Sequence, residues 1–196
     1  VMVDGRMALI HGARVSRNYK EIVGSDSGTS GSDCEGDKAA GRFHVLVDRD
    51  PKIVASRCLL PITTEEYHIM ESVQLKDVVI ICGETGSGKT SQVPQFLYEA
   101  GYGHIGSGIP GMIGVTQPRR VAAITIAERV ATELNQKLGA DVAYQVRFDK
   151  RVSGGSKMKF MTDGILLKEI QSDFLLNKYS AIILDEAHER NLNTDI

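Results

Sequence analysis

Residues 83–90 read Gly83-Glu84-Thr85-Gly86-Ser87-Gly88-Lys89-Thr90 and could grip a polyphosphate. The spacing is G-x-x-x-x-G-K-[ST]. Its glycines allow a tight turn and let the backbone approach a ligand with no Cβ in the way. Successive N–H groups from Glu84 to Thr90 can then converge on phosphate oxygens. Lys89 is placed to reach the β and γ phosphates, and the Thr90 hydroxyl to ligate Mg²⁺. A second cluster lies about a hundred residues on, at Asp185-Glu186-Ala187-His188. Asp185 can hold Mg²⁺ through water, and Glu186 can polarise an attacking water as a general base. Two neighbouring carboxylates beside a triphosphate repel it unless a cation intervenes, so Mg²⁺ is implied. His188-Glu189 also opens an H-E-x-x-H zinc pattern, but residue 192 is Leu and the pattern fails.

These groups need elements to hold them. Val78-Val79-Ile80-Ile81 is a β-branched run that reads as a strand buried on both faces. A helix is expected to start near Lys89 and run to Ala100, with Val93, Phe96 and Leu97 on its buried side, adding the positive end of its dipole to the loop. Ala181-Ile182-Ile183-Leu184 is the strand that delivers the acidic cluster. Strands are also expected at 112–116, 142–146 and 158–161, and helices at 121–138 and 163–171. The loop at 101–111 is glycine-rich, and residues 152–156 form a glycine turn. Strands alternating with helices argue an α/β fold with a parallel sheet and helices on both faces. Ligands then bind outside the carboxyl ends of the strands, where both clusters lie.

Upstream of the core, residues 1–50 read as a flexible, low-complexity flank, with a Gly/Ser/Asp tract at 24–33. Residues 51–76 form an extension: a segment between Pro51 and Pro61 that reads as extended, then a helix to Leu75. Thr63 is the expected cap of that helix and Glu66 completes a capping box. The incomplete domain proper spans 77–196. Net charge over the 196 residues is −2, so any nucleic-acid site must be local. No apolar run reaches the roughly 18 residues of a membrane span. Cys34, Cys58 and Cys82 show neither metal spacing nor a disulfide framework.

Taken together, the chain resembles the DEAH-box RNA helicases of superfamily two. The resemblance rests on the loop at 83–90 and on Asp185-Glu186-Ala187-His188. Between them, Thr116-Gln117-Pro118-Arg119-Arg120-Val121-Ala122-Ala123 is similar to the family's motif Ia, and Thr162-Asp163-Gly164 to its motif Ib. It covers about residues 60–196. It implies a RecA-like P-loop NTPase domain that binds ATP with Mg²⁺ and single-stranded RNA. Arg119, Arg120, Thr162, Asp163 and Gly164 would meet the RNA backbone without reading bases. Arg147-Phe148-Asp149 either adds to this surface or is a structural loop. By resemblance Arg129 stacks on the nucleotide base; read alone, it is an ordinary exposed helix charge. His188 would couple the nucleotide and RNA sites, while Arg190 either pairs with acids near the site or lies exposed.

Gln95-Phe96-Leu97-Tyr98-Glu99-Ala100-Gly101 and residues 159–164 resemble most the members acting in small-subunit ribosome assembly. That implies the nucleus and nucleolus, with a protein activator or ribonucleoprotein particle as partner. Two other readings stand beside this one: a P-loop ATPase that remodels a different substrate, and an inert RNA- or nucleotide-binding fragment. The family's Ser-Ala-Thr motif and second RecA-like domain are expected beyond Ile196. The strand carrying that motif would lie between the strands of Ile80 and Ile183. Without it the expectation is a slit in the sheet or a closed, different pairing, with poor stability and little ATP turnover.

Overall fold

The expected strands assemble into one sheet in the computed structural model, which describes residues 5–11 and 43–189. The strands are β1 (Gly5–His11), β2 (Val78–Gly83), β3 (Met112–Gln117), β4 (Val142–Val146), β5 (Asp149–Arg151), β6 (Met158–Thr162) and β7 (Tyr179–Leu184). Their order is β2-β1-β7-β3-β6-β4-β5. The β7-β3-β6-β4 block is parallel, as the alternation of strands and helices implied. Thr116 lies opposite Leu184, and Gln117 opposite Thr162. The carboxyl ends of β3, β6 and β7 therefore open on one edge of the sheet.

The slot between β2 and β7 holds a strand from the segment expected to be flexible. β1 runs antiparallel to both neighbours, with Leu9 opposite Val79 on one side and Ile183 on the other. Met7 and Leu9 are fully buried. The expectation of a flexible flank over 1–50 is thus corrected for 5–11. The physical reason is that Met7 and Leu9 give the core two large apolar side chains, while the backbone of 5–11 satisfies two rows of donors and acceptors at once. It is corrected also for 43–50, where Val45 N donates to the Glu99 carbonyl at 2.8 Å and the buried Arg49 side chain pairs with Glu99. The 24–33 tract lies outside the described residues.

Other boundaries shift for local reasons. Residues 51–58 are not extended but form α1 (Pro51–Cys58), because Asp50 Oδ1 accepts from Lys52 N at 2.8 Å and Pro51 starts the first turn. Thr63 does not cap. It lies in a 3-10 turn (Pro61–Glu65) and its hydroxyl donates to the Leu60 carbonyl at 2.7 Å, so α2 (Glu66–Leu75) starts later. The loop helix is α3 (Lys89–Glu99). The long helix is shorter than expected: α4 (Arg120–Glu133) stops where Asn135 turns left-handed, at φ 53°, and Gln136 N donates to the Ala131 carbonyl at 2.8 Å. The motif Ib helix is α5 (Asp163–Ser172).

Helices cover the two faces unequally. One core layer packs α2, α3 and α4 over Leu9, Ile81, Val115, Phe160 and Ile183. On the other face Leu166 of α5 packs with Met161, Tyr179 and Ile182. At β2 that second face is open. Val78 is 57% and Ile80 66% exposed, so β2 is not buried on both faces as its composition suggested. Among the described residues no helix lies over it. No described helix is long and apolar enough to cross a membrane.

Candidate nucleotide and nucleic-acid site

The phosphate loop turns where its glycines permit it. Gly86 and Gly88 sit at φ 84° and 96°, a region that strains other residues. A Cβ on Gly88 would also come within 3.0 Å of Leu60 and 3.2 Å of Ile62, which pack against the loop from the 3-10 turn and the residue before it. Ile62 N donates to the Ser87 carbonyl at 3.2 Å. The extension is therefore part of the loop's wall. Lys89 begins α3, is nearly buried, and points back into the loop. Its ammonium donates to the Gly83 and Glu84 carbonyls at 2.6 and 2.8 Å and to Ser87 Oγ at 3.2 Å.

The two clusters meet at Asp185, which is 5% exposed. Its Oδ2 accepts from the Thr90 hydroxyl and from Gln117 Nε2, each at 2.5 Å. Its Oδ1 accepts from the Glu186 backbone at 3.0 Å. Gln117 is the residue that sequence reasoning missed as a site member. It sits at the end of β3 beside the end of β7, so only strand pairing reveals it. Thr90 and Asp185 present oxygen donors side by side, the chemistry a hard cation takes. Among the described residues no group of three or more His, Cys, Asp or Glu could hold a metal. Mg²⁺ suits such a site, since it is usually held by one or two carboxylates plus substrate phosphates.

Glu186 follows in a left-handed turn, at φ 52°. Burial and the adjacent Asp185 carboxylate push its own carboxyl above the usual range, against the opposing pull of His188. His188 Nε2 lies 3.4 Å from Glu186 Oε2. Leu60, Thr85, Gly86, Lys89, Thr90, Arg129 and Glu186 line a cleft of about 160 Å³. Arg129, from α4, thereby shares a cleft with residues of the 83–90 loop. Its Nε donates to Glu133 Oε1 at 2.8 Å.

A larger cleft of about 1180 Å³ is lined by Pro118, Arg120, Arg147, Phe148, Lys150, Thr162, Asp163, Gly164 and Lys168 among others. It brings the motif Ia and Ib residues together with a hairpin that the sequence alone did not reveal. Arg147 and Phe148 form the tip between β4 and β5. Phe148 is 87% exposed at φ 70°, and the Arg147 guanidinium sits 4.8 Å over its ring. Thr162 caps α5 without spending its hydroxyl on that helix. Arg119 does not line this cleft; it lies 3.4 Å from Glu189 in the acidic turn. Arg190 lies outside the described residues.

The comparisons with known proteins agree in kind. The family described as DEAD/DEAH box helicase matches residues 66–194. The chain is 61% identical over 155 residues to "Probable ATP-dependent RNA helicase DHR1" of Saccharomyces cerevisiae, covering 79% of this chain and 12% of that protein. It is 55% identical over 152 residues to human "Probable ATP-dependent RNA helicase DHX37", covering 78% and 13%. It is 52% identical over 145 residues to "Pre-mRNA-splicing factor ATP-dependent RNA helicase DEAH10" of Arabidopsis thaliana, covering 74% and 20%. The chain thus spans about 12–20% of the length of these relatives.

Proposed function

The chain belongs to the DEAD/DEAH box helicase family, and from that premise we propose that it binds ATP with Mg²⁺ at residues 83–90 and single-stranded RNA in the larger cleft. It belongs to a family of enzymes, and its proposed work is to couple ATP hydrolysis to remodelling of RNA or ribonucleoprotein. The observation that carries this reading is the Asp185 carboxylate. It accepts from Thr90 of the phosphate loop and from Gln117, which leads directly into Pro118-Arg119-Arg120.

Each residue then has a physical task. The N–H groups of 84–90 bind phosphate oxygens and Lys89 adds a point charge. Mg²⁺, held by Thr90 and Asp185, would neutralise charge on the phosphates. Glu186 takes the proton of the attacking water, and a raised pKa makes it the better base. Arg129 packs on the base face. Arg120, Lys168 and the N-terminus of α5 take backbone phosphates, and Phe148 offers a stacking face. His188 pairs with Glu186 and so couples the two sites.

The RNA we assign is a ribosomal precursor, with action in the nucleolus alongside a protein activator or particle. The stretches at 95–101 and 159–164 support this through their likeness to ribosome-assembly members. A pre-mRNA substrate is the second reading, favoured by the name of the Arabidopsis relative.

Glu186→Gln tests the reading, because it removes the base and keeps the shape. Placed in the full-length protein, the variant should still bind ATP but turn over at least about a hundredfold more slowly. Near-normal turnover would remove Glu186 from the reaction and with it this assignment.

A further inference from the structure

A run of buried polar contacts reaches the nucleotide cleft from the extension, and the chemistry above leaves it unused. Gln92 and Gln95 of α3 are fully buried. Their amides donate to Glu133 Oε2 at 2.8 and 2.7 Å. The other oxygen of Glu133 holds Arg129 at 2.8 Å. In the opposite direction, Gln92 Oε1 accepts from Arg57 Nε at 2.7 Å, and Gln95 Oε1 from Arg49 at 2.9 Å. Both arginines close on Glu99, at 2.9 and 2.5 Å.

Buried amides are costly unless paired, and here both ends of each are used. An exposed helix ion pair one turn apart does little to fix an arginine. The pair at Arg129 differs. Arg129 is 55% exposed, but Glu133 is only 12% exposed and its second oxygen is pinned by two buried donors. Burial alone would push the Glu133 carboxyl up, yet the hydrogen bonds from Arg129, Gln95 and Gln92 prevail and hold it below the usual range. A charged, anchored Glu133 therefore sets where the guanidinium of Arg129 stands.

We propose that Glu133 is a positioning residue that presents Arg129 to the nucleotide base, and that Arg49, just before the extension, and Arg57 within it hold it in place through Gln95 and Gln92. Residues 49–57 thereby act in base recognition although α1 itself does not line the nucleotide cleft. The proposal rests on the reading of residues 83–90 as an ATP site.

Calorimetric titration of the full chain with ATP and with inorganic tripolyphosphate, both with Mg²⁺, separates base binding from phosphate binding. Glu133→Gln should weaken ATP about tenfold, the scale of one lost charge-assisted hydrogen bond, and leave tripolyphosphate within about twofold. Added to Arg129→Ala, it should weaken ATP no further. Equal losses for both ligands, or additive losses in the double variant, would overturn the proposal. Arg57→Lys is the milder variant should Glu133→Gln fail to fold. It keeps a charge near Glu99 but loses the fork that reaches Gln92, and should show the same selective loss at about threefold. No selective loss there also overturns it. Tight tripolyphosphate binding without any gain for ATP refutes the role of Arg129 alone. Binding of neither ligand by the unaltered chain refutes the nucleotide site itself.

Discussion

Leu9→Ala tests whether β1 truly completes the sheet. Leu9 is fully buried, with Val79 opposite it on β2 and Ile183 opposite it on β7. Truncating a buried leucine costs about 2–5 kcal/mol, the transfer term plus the cavity left behind. The side chain stands in the layer between sheet and helices among fully buried neighbours such as Val115 and Ile183, so collapse into the cavity is restricted and the upper half of that range is expected. Against a usual total of about 5–15 kcal/mol, this is a large fraction of the stability. Urea titration followed by far-UV circular dichroism should show a lower midpoint with an unchanged slope. Ile80→Ala is the internal control. Ile80 is 66% exposed, and its truncation should stay within about 0.5 kcal/mol. If Leu9→Ala melted like the unaltered chain, residues 5–11 would not be holding β2 against β7, and the flexible-flank reading would return.

Three further outcomes follow, two from the larger cleft and one from the acidic turn. Arg120→Ala with Lys168→Ala, both lining the larger cleft, should weaken RNA equally across sequences and flatten the salt dependence by about 0.7 in log-log slope for each phosphate no longer neutralised; a loss confined to some sequences would contradict backbone binding. Phe148→Ala should instead cost about 1–3 kcal/mol of RNA affinity with the salt slope unchanged, as for a stacked base, and an altered slope would argue against stacking. The acid side of the pH–turnover profile should be set by Glu186. Its carboxyl titrates above the usual range, so the base is lost as pH falls through that raised value. His188→Ala removes a group that opposes the rise and should move the limb higher still; a limb at the ordinary glutamate position would detach it from Glu186.

What the sequence made legible is the chemistry that is local to it. Residues 83–90 carry their function in their own backbone, and Asp185 follows its strand directly. The β3, β4, β6 and β7 strands announce themselves by apolar runs. Three features were not legible, each for its own reason. β1 becomes a strand only because β2 and β7, about seventy and one hundred and seventy residues away, flank a slot it fits. β5 is Asp149-Lys150-Arg151, charged throughout and exposed, so no alternation marks it. α1 buries none of its residues, and hence has no apolar stripe to read; only Asp50 and Pro51 give it away.

Gln117 belongs with these, and it bears most directly on coupling. Its amide is buried and donates to the same carboxylate oxygen that takes the Thr90 hydroxyl. Any shift of Asp185 therefore acts on the phosphate loop and on the start of the motif Ia turn together. Gln117→Leu leaves the carboxylate short of one donor in a buried site, a loss of about 1.5–3 kcal/mol for a hydrogen bond to a charged group. Gln117→Glu is the sharper perturbation. It sets a second carboxyl against Asp185, and two buried acids in contact cannot both ionise cheaply. The folded state then binds a proton more tightly than the unfolded chain does, so the folded pKa of the pair is raised. Stability relative to the unaltered chain should be nearly intact below the ordinary carboxylate range and fall as pH rises above it. Denaturant titrations between about pH 4 and pH 8 read this directly. A pH-independent difference between the two chains would mean that the new carboxyl does not face Asp185, and that Gln117 does not join the two sites.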